Sequence, residues 1–216
     1  MKKVFLLLCI TFSLSNFHSI YGQSVNDGFH QHTGFYLSLS AGPVFGTIEA
    51  NEISPVPFRL NFSGGTGGQF DIKVGGAIRE NLILHATIIS NALIGPKVTS
   101  NGQSITLPDN MNINETMLLG GGVTYYLMPH NIFLSGSVGM GYFTMQYKEN
   151  SDLNGSTDKG VSMQIKVGKE WWISKKWGLG VALTYGKTNV NNRPSSGYAE
   201  KLNSNRFGIV LNATLN

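Results

Sequence analysis

The sequence predicts an all-β fold, an eight-stranded antiparallel up-and-down β-barrel that crosses a membrane. Three observations support this prediction. Eight segments alternate between apolar residues and polar or small residues with a period of two. Charged residues make up 13% of the chain, about half of the roughly 25% expected in a soluble globular protein. The connections between the segments are alternately short and long. A membrane-spanning helix is not expected, because such a helix needs about 20 consecutive apolar residues and no segment is that long.

The beginning of the chain has the pattern of a secretory signal peptide. Lys2 and Lys3 precede a short apolar run, and the small residue Gly22 ends the segment. We therefore expect a signal peptide at residues 1–22 and a single barrel domain at residues 23–216. Without the two lysines, the 16 basic residues fall to 14 against 12 acidic residues, a net charge of +2. This small charge gives no reason to expect a nucleic-acid partner.

The first four predicted strands cover residues 34–42, 69–79, 81–90 and 116–127. In GFYLSLSAG and QFDIKVGGAIR, apolar residues alternate with serine, tyrosine or charged residues. NLILHATIIS is the least regular strand, because isoleucine lies on both of its faces. In TMLLGGGVTYYL the apolar face, to which we assign Met117, lies opposite a glycine-rich face.

The last four predicted strands cover residues 132–143, 159–172, 177–186 and 205–216. IFLSGSVGMGYF opposes apolar residues to serine and glycine, and KGVSMQIKVGKEWW opposes them to polar and charged residues. WGLGVALTYG is apolar with aromatic ends on one face and nearly bare on the other. NRFGIVLNATLN repeats the alternation up to Leu215. Each of these segments therefore reads as a strand with one apolar face.

The connections between the strands are unequal in a regular way. Tight turns lie around residue 80, at 128–131 and at 173–176. The long connections cover residues 43–68, 91–115, 144–158 and 187–204. Because the long connections are rich in Asn, Ser, Gly and Pro, we expect mobile surface loops there. An even number of strands with this asymmetry is typical of a bacterial outer-membrane barrel with short periplasmic turns and long outer loops.

The alternation does not by itself decide which face meets lipid. In a soluble, lipocalin-like barrel the apolar face would be inside, and a face rich in glycine would have to meet water. Inside a narrow eight-stranded barrel, glycine and serine instead leave room for a few large polar side chains. We therefore expect the apolar face outside, and salt bridges and hydrogen bonds that plug the lumen. The predicted polar network of the lumen consists of Asp71, Lys73, Arg79, His85, Gln164, Lys166, Glu170 and Arg206.

Aromatic residues cluster at both ends of the predicted strands. Rings with an apolar body and a polar edge favour the interface between a bilayer and water, where they form two girdles. The predicted girdle residues are Phe35, Tyr125, Tyr126, Phe133, Trp171, Trp172 and Trp177 at the turn ends, with Tyr142 and Tyr185 toward the loop ends.

With HTGFYLSLSAG, KEWWISKKWGLGVALTYG and SNRFGIVLNATLN as its strongest local likenesses, the sequence resembles the small eight-stranded outer-membrane barrels of the OmpA-, OmpX- and OmpW-like group. The resemblance covers essentially the whole predicted mature chain. It implies a location in the outer membrane of a Gram-negative bacterium and contact with outer-membrane lipid.

The sequence contains no convincing catalytic or metal-binding pattern. His85 and Thr87 share a face but have no acidic residue at a fixed spacing, so we expect a hydrogen-bonded lumen histidine there. His30 and His32, two residues apart, are weak evidence for a metal site. We expect neither a catalytic site nor a metal or cofactor.

We expect a non-enzymatic monomer that acts through its extracellular loops, in contact with an unidentified surface ligand or in support of envelope integrity. The alternative is a barrel enzyme acting on lipid A, or a carrier of a small apolar ligand. Either alternative requires a reactive cluster or a lateral opening at the lipid boundary, and the sequence indicates neither.

Overall fold

The structure is a computed structural model that describes residues 31–53, 58–149, 154–193 and 199–216. The predicted signal peptide lies outside the described residues. Twelve strands are present in the described part of the chain: β1 (Phe35–Ile53), β2 (Phe58–Ser63), β3 (Thr66–Arg79), β4 (Leu82–Ile94), β5 (Lys97–Ser100), β6 (Gln103–Thr106), β7 (Met111–Leu127), β8 (Ile132–Tyr147), β9 (Gly155–Ser156), β10 (Gly160–Trp172), β11 (Trp177–Asn192) and β12 (Ala199–Leu215). Within these ranges, no helix has the length and apolar character needed to cross a membrane.

Eight of the strands form a closed antiparallel barrel, which confirms the predicted fold class. β1, β3, β4, β7, β8, β10, β11 and β12 pair in this order, and β12 pairs with β1 to close the barrel. Short turns join β3 to β4, β7 to β8 and β10 to β11 at one end of the barrel, which we call the turn end. We call the opposite end, where the connections are longer, the loop end.

The long connections contain more regular structure than the sequence predicted. β1 continues to Ile53 and β7 begins at Met111, so most of 43–53 and 111–115 is strand and its assignment to loops was wrong. β2 pairs with the second half of β1, β5 with β2 and β6 with β5. These three short strands form an outer extension of the sheet. The period-two signal fades there because these strands lie outside the closed barrel, where no buried face selects one side of the strand.

Two β-bulges shift which residues face the interior. The register shifts between Met117 and Leu119 in β7, so that Met117 lies inside at 1% exposure and Leu119 lies outside at 61%. A second shift, between Ala77 and Arg79 in β3, leaves Arg79 exposed. The predicted outward position of Met117 and inward position of Arg79 were therefore wrong. An extra residue in one strand reverses the alternation beyond it.

The polarity of the barrel is the reverse of that of a soluble protein, because apolar side chains lie on its outside and polar side chains fill much of its inside. Leu183 is 62% exposed and Ile209 54% exposed, whereas Lys166 is 1% exposed. Inside, an apolar and aromatic layer lies at the turn end, polar side chains fill the middle, and a second apolar layer lies at the loop end. The turn-end layer is Tyr36, Ile83, Tyr126, Phe133, Ala182 and Val210. The loop-end layer is Ile48, Ile113, Phe143, Val190 and Leu202.

Candidate functional site

The charged residues of the lumen are the candidate functional site. Seven of the eight residues predicted for the polar network are buried in the barrel, and Arg79 is the exception. The structure adds Glu115, which the sequence had placed in a loop. Among the described residues, the buried charges balance at three basic and three acidic side chains. These six are Lys73, Lys166, Arg206, Asp71, Glu115 and Glu170.

Lys166 is the centre of the middle layer. Its Nζ lies 2.8 Å from Asp71 Oδ1, and both side chains are fully buried. It also donates a hydrogen bond of 2.7 Å to Ser40 Oγ and lies 3.4 Å from Asn212 Oδ1. Lys73, two residues after Asp71, donates to a serine of β8 at 2.7 Å. The ammonium group of Lys166 thus has a carboxylate partner, as a buried charge requires.

Glu170 accepts several hydrogen bonds below Lys166, toward the turn end. Its Oε1 accepts from Asn212 Nδ2 at 2.6 Å, from Thr214 Oγ1 at 2.6 Å and from Tyr126 OH at 3.3 Å. Asn212 in turn accepts from Ser38 at 3.1 Å. These contacts join strands that are distant in sequence, so the spacing of residues along any one strand does not reveal them.

Glu115 and Arg206 form a second buried ion pair closer to the loop end. The hydroxyl group of Thr188 donates a hydrogen bond to Glu115 and lies 2.7 Å from Ser162 Oγ, from which it can accept one. The pair lies at the border between the polar middle and the apolar layer. Glu115 was missed because it lies before the glycine-rich segment in which the alternation of β7 is clear. A bulge separates Glu115 from that segment, so the alternation there does not indicate which face of the strand Glu115 occupies.

His85 lies inside the barrel among hydroxyl groups. Its ring nitrogens lie 2.8 Å from Thr87 Oγ1 and 3.0 Å from Thr124 Oγ1. Gln164 is also buried, two residues before Lys166 on the same face of β10. A hydrogen-bonded histidine without a carboxylate partner fits a packing role better than that of a general base.

Glycine on the inner face makes room for these large polar side chains. A Cβ atom at Gly122 would lie 2.6 Å from Cε1 of His85, and one at Gly180 would lie 2.8 Å from Cγ of Glu170. Real Cβ atoms do not approach other atoms so closely. Glycine is therefore required at these two positions, where neighbouring backbone and the large polar side chains leave no space for a Cβ atom.

His32 closes the turn end, a role that the sequence did not predict. Its side chain is fully buried and stacks on Tyr126, with 3.4 Å between the ring centroids. Its ring nitrogens lie 2.9 Å from Asn216 Oδ1 and 2.8 Å from Asn131 Oδ1. The backbone N–H of His32 donates a hydrogen bond to Asn81 Oδ1, and its backbone C=O accepts one from the N–H of Asn81. Burial lowers the pKa of His32 below 6.5. The hydrogen bonds to Asn131 and Asn216 raise the pKa but do not outweigh the effect of burial. His30 lies outside the described residues.

The aromatic residues predicted for the girdles divide between the two faces. Facing outward are Phe35, Tyr125, Trp171, Trp177, Tyr142 and Tyr185. The assignment of Tyr126, Phe133 and Trp172 to the girdle was wrong, because these rings point inward. Tyr126 and Phe133 are buried, and the ring of Trp172 lies 5.0 Å from that of His32. Adjacent residues of a strand face opposite sides, so Tyr125 and Tyr126 cannot both meet lipid.

No protein-family model matches the chain, and neither does any curated protein sequence. Solved structures do match it. Neisserial surface protein A, from Neisseria, superposes with a TM-score of 0.54 at 11% identity, covering 85% of this chain and 97% of that one. The chain has the fold of a small outer-membrane barrel. The outer membrane protein AlkL, solved in lipid bilayers, superposes with a TM-score of 0.47 at 14% identity, over 90% of this chain and 94% of that one. OprG from Pseudomonas aeruginosa does so with a TM-score of 0.45 at 10% identity, over 86% and 98%.

The outer-membrane barrel fold accounts for the arrangement of the site. Eight strands enclose a space that side chains fill. Two small cavities beside Arg206, of about 20 and 10 Å³, each have room for about one water molecule. Buried charged and hydroxyl side chains therefore fill the middle of the barrel, and four of the charged ones form two ion pairs.

Proposed function

We propose that this protein is an integral, non-enzymatic protein of the outer membrane of a Gram-negative bacterium. It acts as a monomer through its loop end, either in contact with a surface ligand or in support of the envelope. The observation that carries this proposal is the inverted polarity of the barrel, whose large apolar side chains face outward while six charged side chains lie buried inside it.

The outer surface of the barrel supports insertion into lipid. Val167, Val181, Leu183 and Leu211 are each between 45% and 71% exposed. A continuous apolar surface of this kind is unfavourable in water and favourable against acyl chains. Outward-facing aromatic rings lie at the turn end, as expected at the edge of a bilayer. The turn end and the loop end then lie on opposite sides of the membrane.

The loop end supports a role in surface contact. The outer extension continues the sheet past the apolar surface, and Ile105 of β6 is 65% exposed. Among the described residues, β6 pairs only with β5 and leaves its other edge open. An open strand edge and an exposed apolar side chain are features that a protein partner can use. The plugged lumen makes passage of a solute a poor alternative.

The position of the reactive side-chain types supports a non-enzymatic role. His85 and the serine and threonine residues around it face the closed lumen. A lipid substrate would approach from the opposite side of the barrel wall. The alternative of an enzyme acting on lipid A is therefore disfavoured, because His85 faces away from the side on which the lipid would lie.

Membrane fractionation tests the proposal. The protein should sediment with outer membranes, resist extraction by salt, and migrate faster on a gel before boiling than after it, because folded barrels resist detergent. A chain with Leu183 and Leu211 both replaced by Asp should lose this behaviour, since it places two charges against lipid. Refolding of the wild-type chain to a soluble, cooperative monomer in plain buffer would rule the proposal out.

A further inference from the structure

The geometry points to an intramolecular amide bond between Lys166 and Asn212, which the folded barrel forms by itself. We propose that Nζ of Lys166 attacks Cγ of Asn212 and that ammonia leaves. The two residues lie on β10 and β12, which are separated by β11. Both are fully buried, at 1% and 2% exposure. This inference goes beyond the proposed function, because it concerns covalent chemistry inside the barrel and holds whatever the loop end binds.

The carboxamide of Asn212 is the electrophile, and it is polarised at both of its ends. Its Oδ1 accepts hydrogen bonds from the hydroxyl groups of Ser38, at 3.1 Å, and Ser40. Its Nδ2 donates to Glu170 Oε1 at 2.6 Å. Hydroxyl donors that already point at the oxygen also stabilise the negative charge that develops there during attack. This arrangement is far more than the packing of an isolated asparagine requires.

Lys166 is the nucleophile, and Asp71 removes its proton. Nζ lies 3.4 Å from Oδ1 of Asn212, the oxygen bonded to the carbon that it would attack. A rotation of either side chain can bring Nζ over Cγ. An ammonium group has no free electron pair, so it must first lose a proton. Asp71 Oδ1, at 2.8 Å, is placed to accept it. Both groups become neutral in this transfer, which burial favours.

Glu170 moves the second proton. Its Oε1 already contacts the nitrogen that must leave. Its Oε2 has no hydrogen-bond partner among the described residues and is buried. Once Nζ has bonded to Cγ, both nitrogens are attached to one carbon, and Glu170 Oε1 is already hydrogen-bonded to one of them at 2.6 Å. The carboxylate is then placed to accept a proton from the attacking nitrogen and deliver it to the leaving one.

The reaction balances without an oxidant, a cofactor or a co-reactant. Asp71 takes one proton from the Lys166 ammonium, and the freed electron pair of Nζ forms a bond to Cγ while the C=O electrons move onto Oδ1. Glu170 takes a second proton from Nζ and gives it to Nδ2. The C=O bond then re-forms, the bond from Cγ to Nδ2 breaks, and ammonia departs. The products are a secondary amide, a neutral Asp71, an unchanged Glu170 carboxylate and ammonia.

The charges of the lumen remain balanced after the bond has formed. Lys166 loses its charge and Asp71 becomes neutral, so Lys73 and Arg206 remain against Glu115 and Glu170. The new bond ties β10 to β12, next to the pairing of β12 with β1 that closes the barrel. A covalent link between strands distant in sequence limits the freedom of the unfolded chain, in the manner of a disulfide.

Mass spectrometry of the folded protein tests the bond. Trypsin should not cut after an acylated lysine, so the digest should contain residues 160–169 joined to residues 207–216, lighter than the two peptides together by one ammonia. In the same digest of chain kept unfolded in urea, trypsin should cut after the free Lys166, so that residues 160–166 and residues 207–216 appear as separate peptides. The linked peptide decides the matter, because cyclisation of an amino-terminal Gln23 would also release ammonia from the intact protein.

Two variants and two contrary outcomes complete the test. Glu170→Gln, which keeps the hydrogen bonds but cannot shuttle a proton, and Lys166→Arg, which keeps the charge beside Asp71, should both lack the linked peptide. Separate peptides from folded wild-type protein would overturn the proposal, even if neither variant folds. A link from Lys166 to residues 60–73 with loss of water would also overturn it, since Asp71 would then be the acceptor.

Discussion

Arg206 and Glu115 pair inside the barrel at the level where its polar middle meets the apolar layer of the loop end. Arg206 lies on β12 and Glu115 on β7, which are not neighbours in the barrel, so the pair spans the lumen. The stability of the loop end therefore depends on both residues at once.

Replacement of Glu115 alone should destabilise the barrel strongly. Glu115→Gln leaves the Arg206 guanidinium buried without a carboxylate and should lower the free energy of unfolding by about 3–5 kcal/mol. Urea titration of the protein folded in lipid vesicles measures this loss. The double variant Glu115→Gln, Arg206→Met should recover much of it, because it removes the stranded charge. If the double variant loses as much as the two single changes added together, the residues do not interact.

An arginine on the lipid-facing surface should be costly only inside the lipid belt. Val181→Arg places a charge near mid-bilayer and should lower the free energy of unfolding in vesicles by about 2–4 kcal/mol. The matched control is Ile105→Arg on β6, which is also an exposed apolar position but lies in the outer extension. The control should change stability little. Equal losses at the two positions would contradict the assignment of Val181 to lipid.

A hydroxyl group at position 182 should be unfavourable. Ala182 faces the lumen but packs in the apolar layer of the turn end with Tyr36 and Phe133. Ala182→Ser buries a hydroxyl group in that layer and should cost about 1–3 kcal/mol if the hydroxyl finds no partner. The same titration in vesicles measures this cost. No loss of stability would show that the hydroxyl finds a partner there.

Acid should weaken the closure of the turn end through His32. The pKa of its buried ring is lowered below 6.5, so the unfolded chain binds a proton more readily than the folded one. Stability from this residue is therefore complete above about pH 6.5 and is lost as the pH falls through the lowered pKa. Unfolding measured from pH 8 to pH 5 should show a steeper loss for wild type than for His32→Gln. Parallel curves would mean that His32 does not titrate in this range.

The orientation in the membrane can be read from the labelling of single cysteines. Gln103→Cys in the outer extension should react on intact cells with a maleimide that cannot cross membranes, because the proposed function places the loop end outside the cell. Ser174→Cys in the β10–β11 turn should react only after the outer membrane is opened. The predicted mature chain contains no other cysteine, so each signal has one source. The reverse pattern would invert the proposed orientation.

The sequence alone was sufficient for the barrel and for most of its interior. Alternation with a period of two depends only on local backbone geometry, so residues such as Asp71 and Lys166 are assigned to the inner face without any tertiary information. The same local rule, together with the low charge and the glycine-rich inner face, was enough to indicate that the apolar face is outside. These properties are repeated in every strand, and an error in one strand does not alter the conclusion.

The tertiary structure decided which inner residues meet each other and where the alternation breaks. The bulges at Ile78 and Leu118 reverse the faces of Arg79 and Met117, and a bulge costs little local energy and leaves no clear pattern in the sequence. The partners of Glu115 and His32 depend on the stagger of strands around the closed barrel. That stagger is set by the pairing of all eight strands together, and a contact across the lumen between residues far apart in the chain is therefore fixed only when the barrel closes.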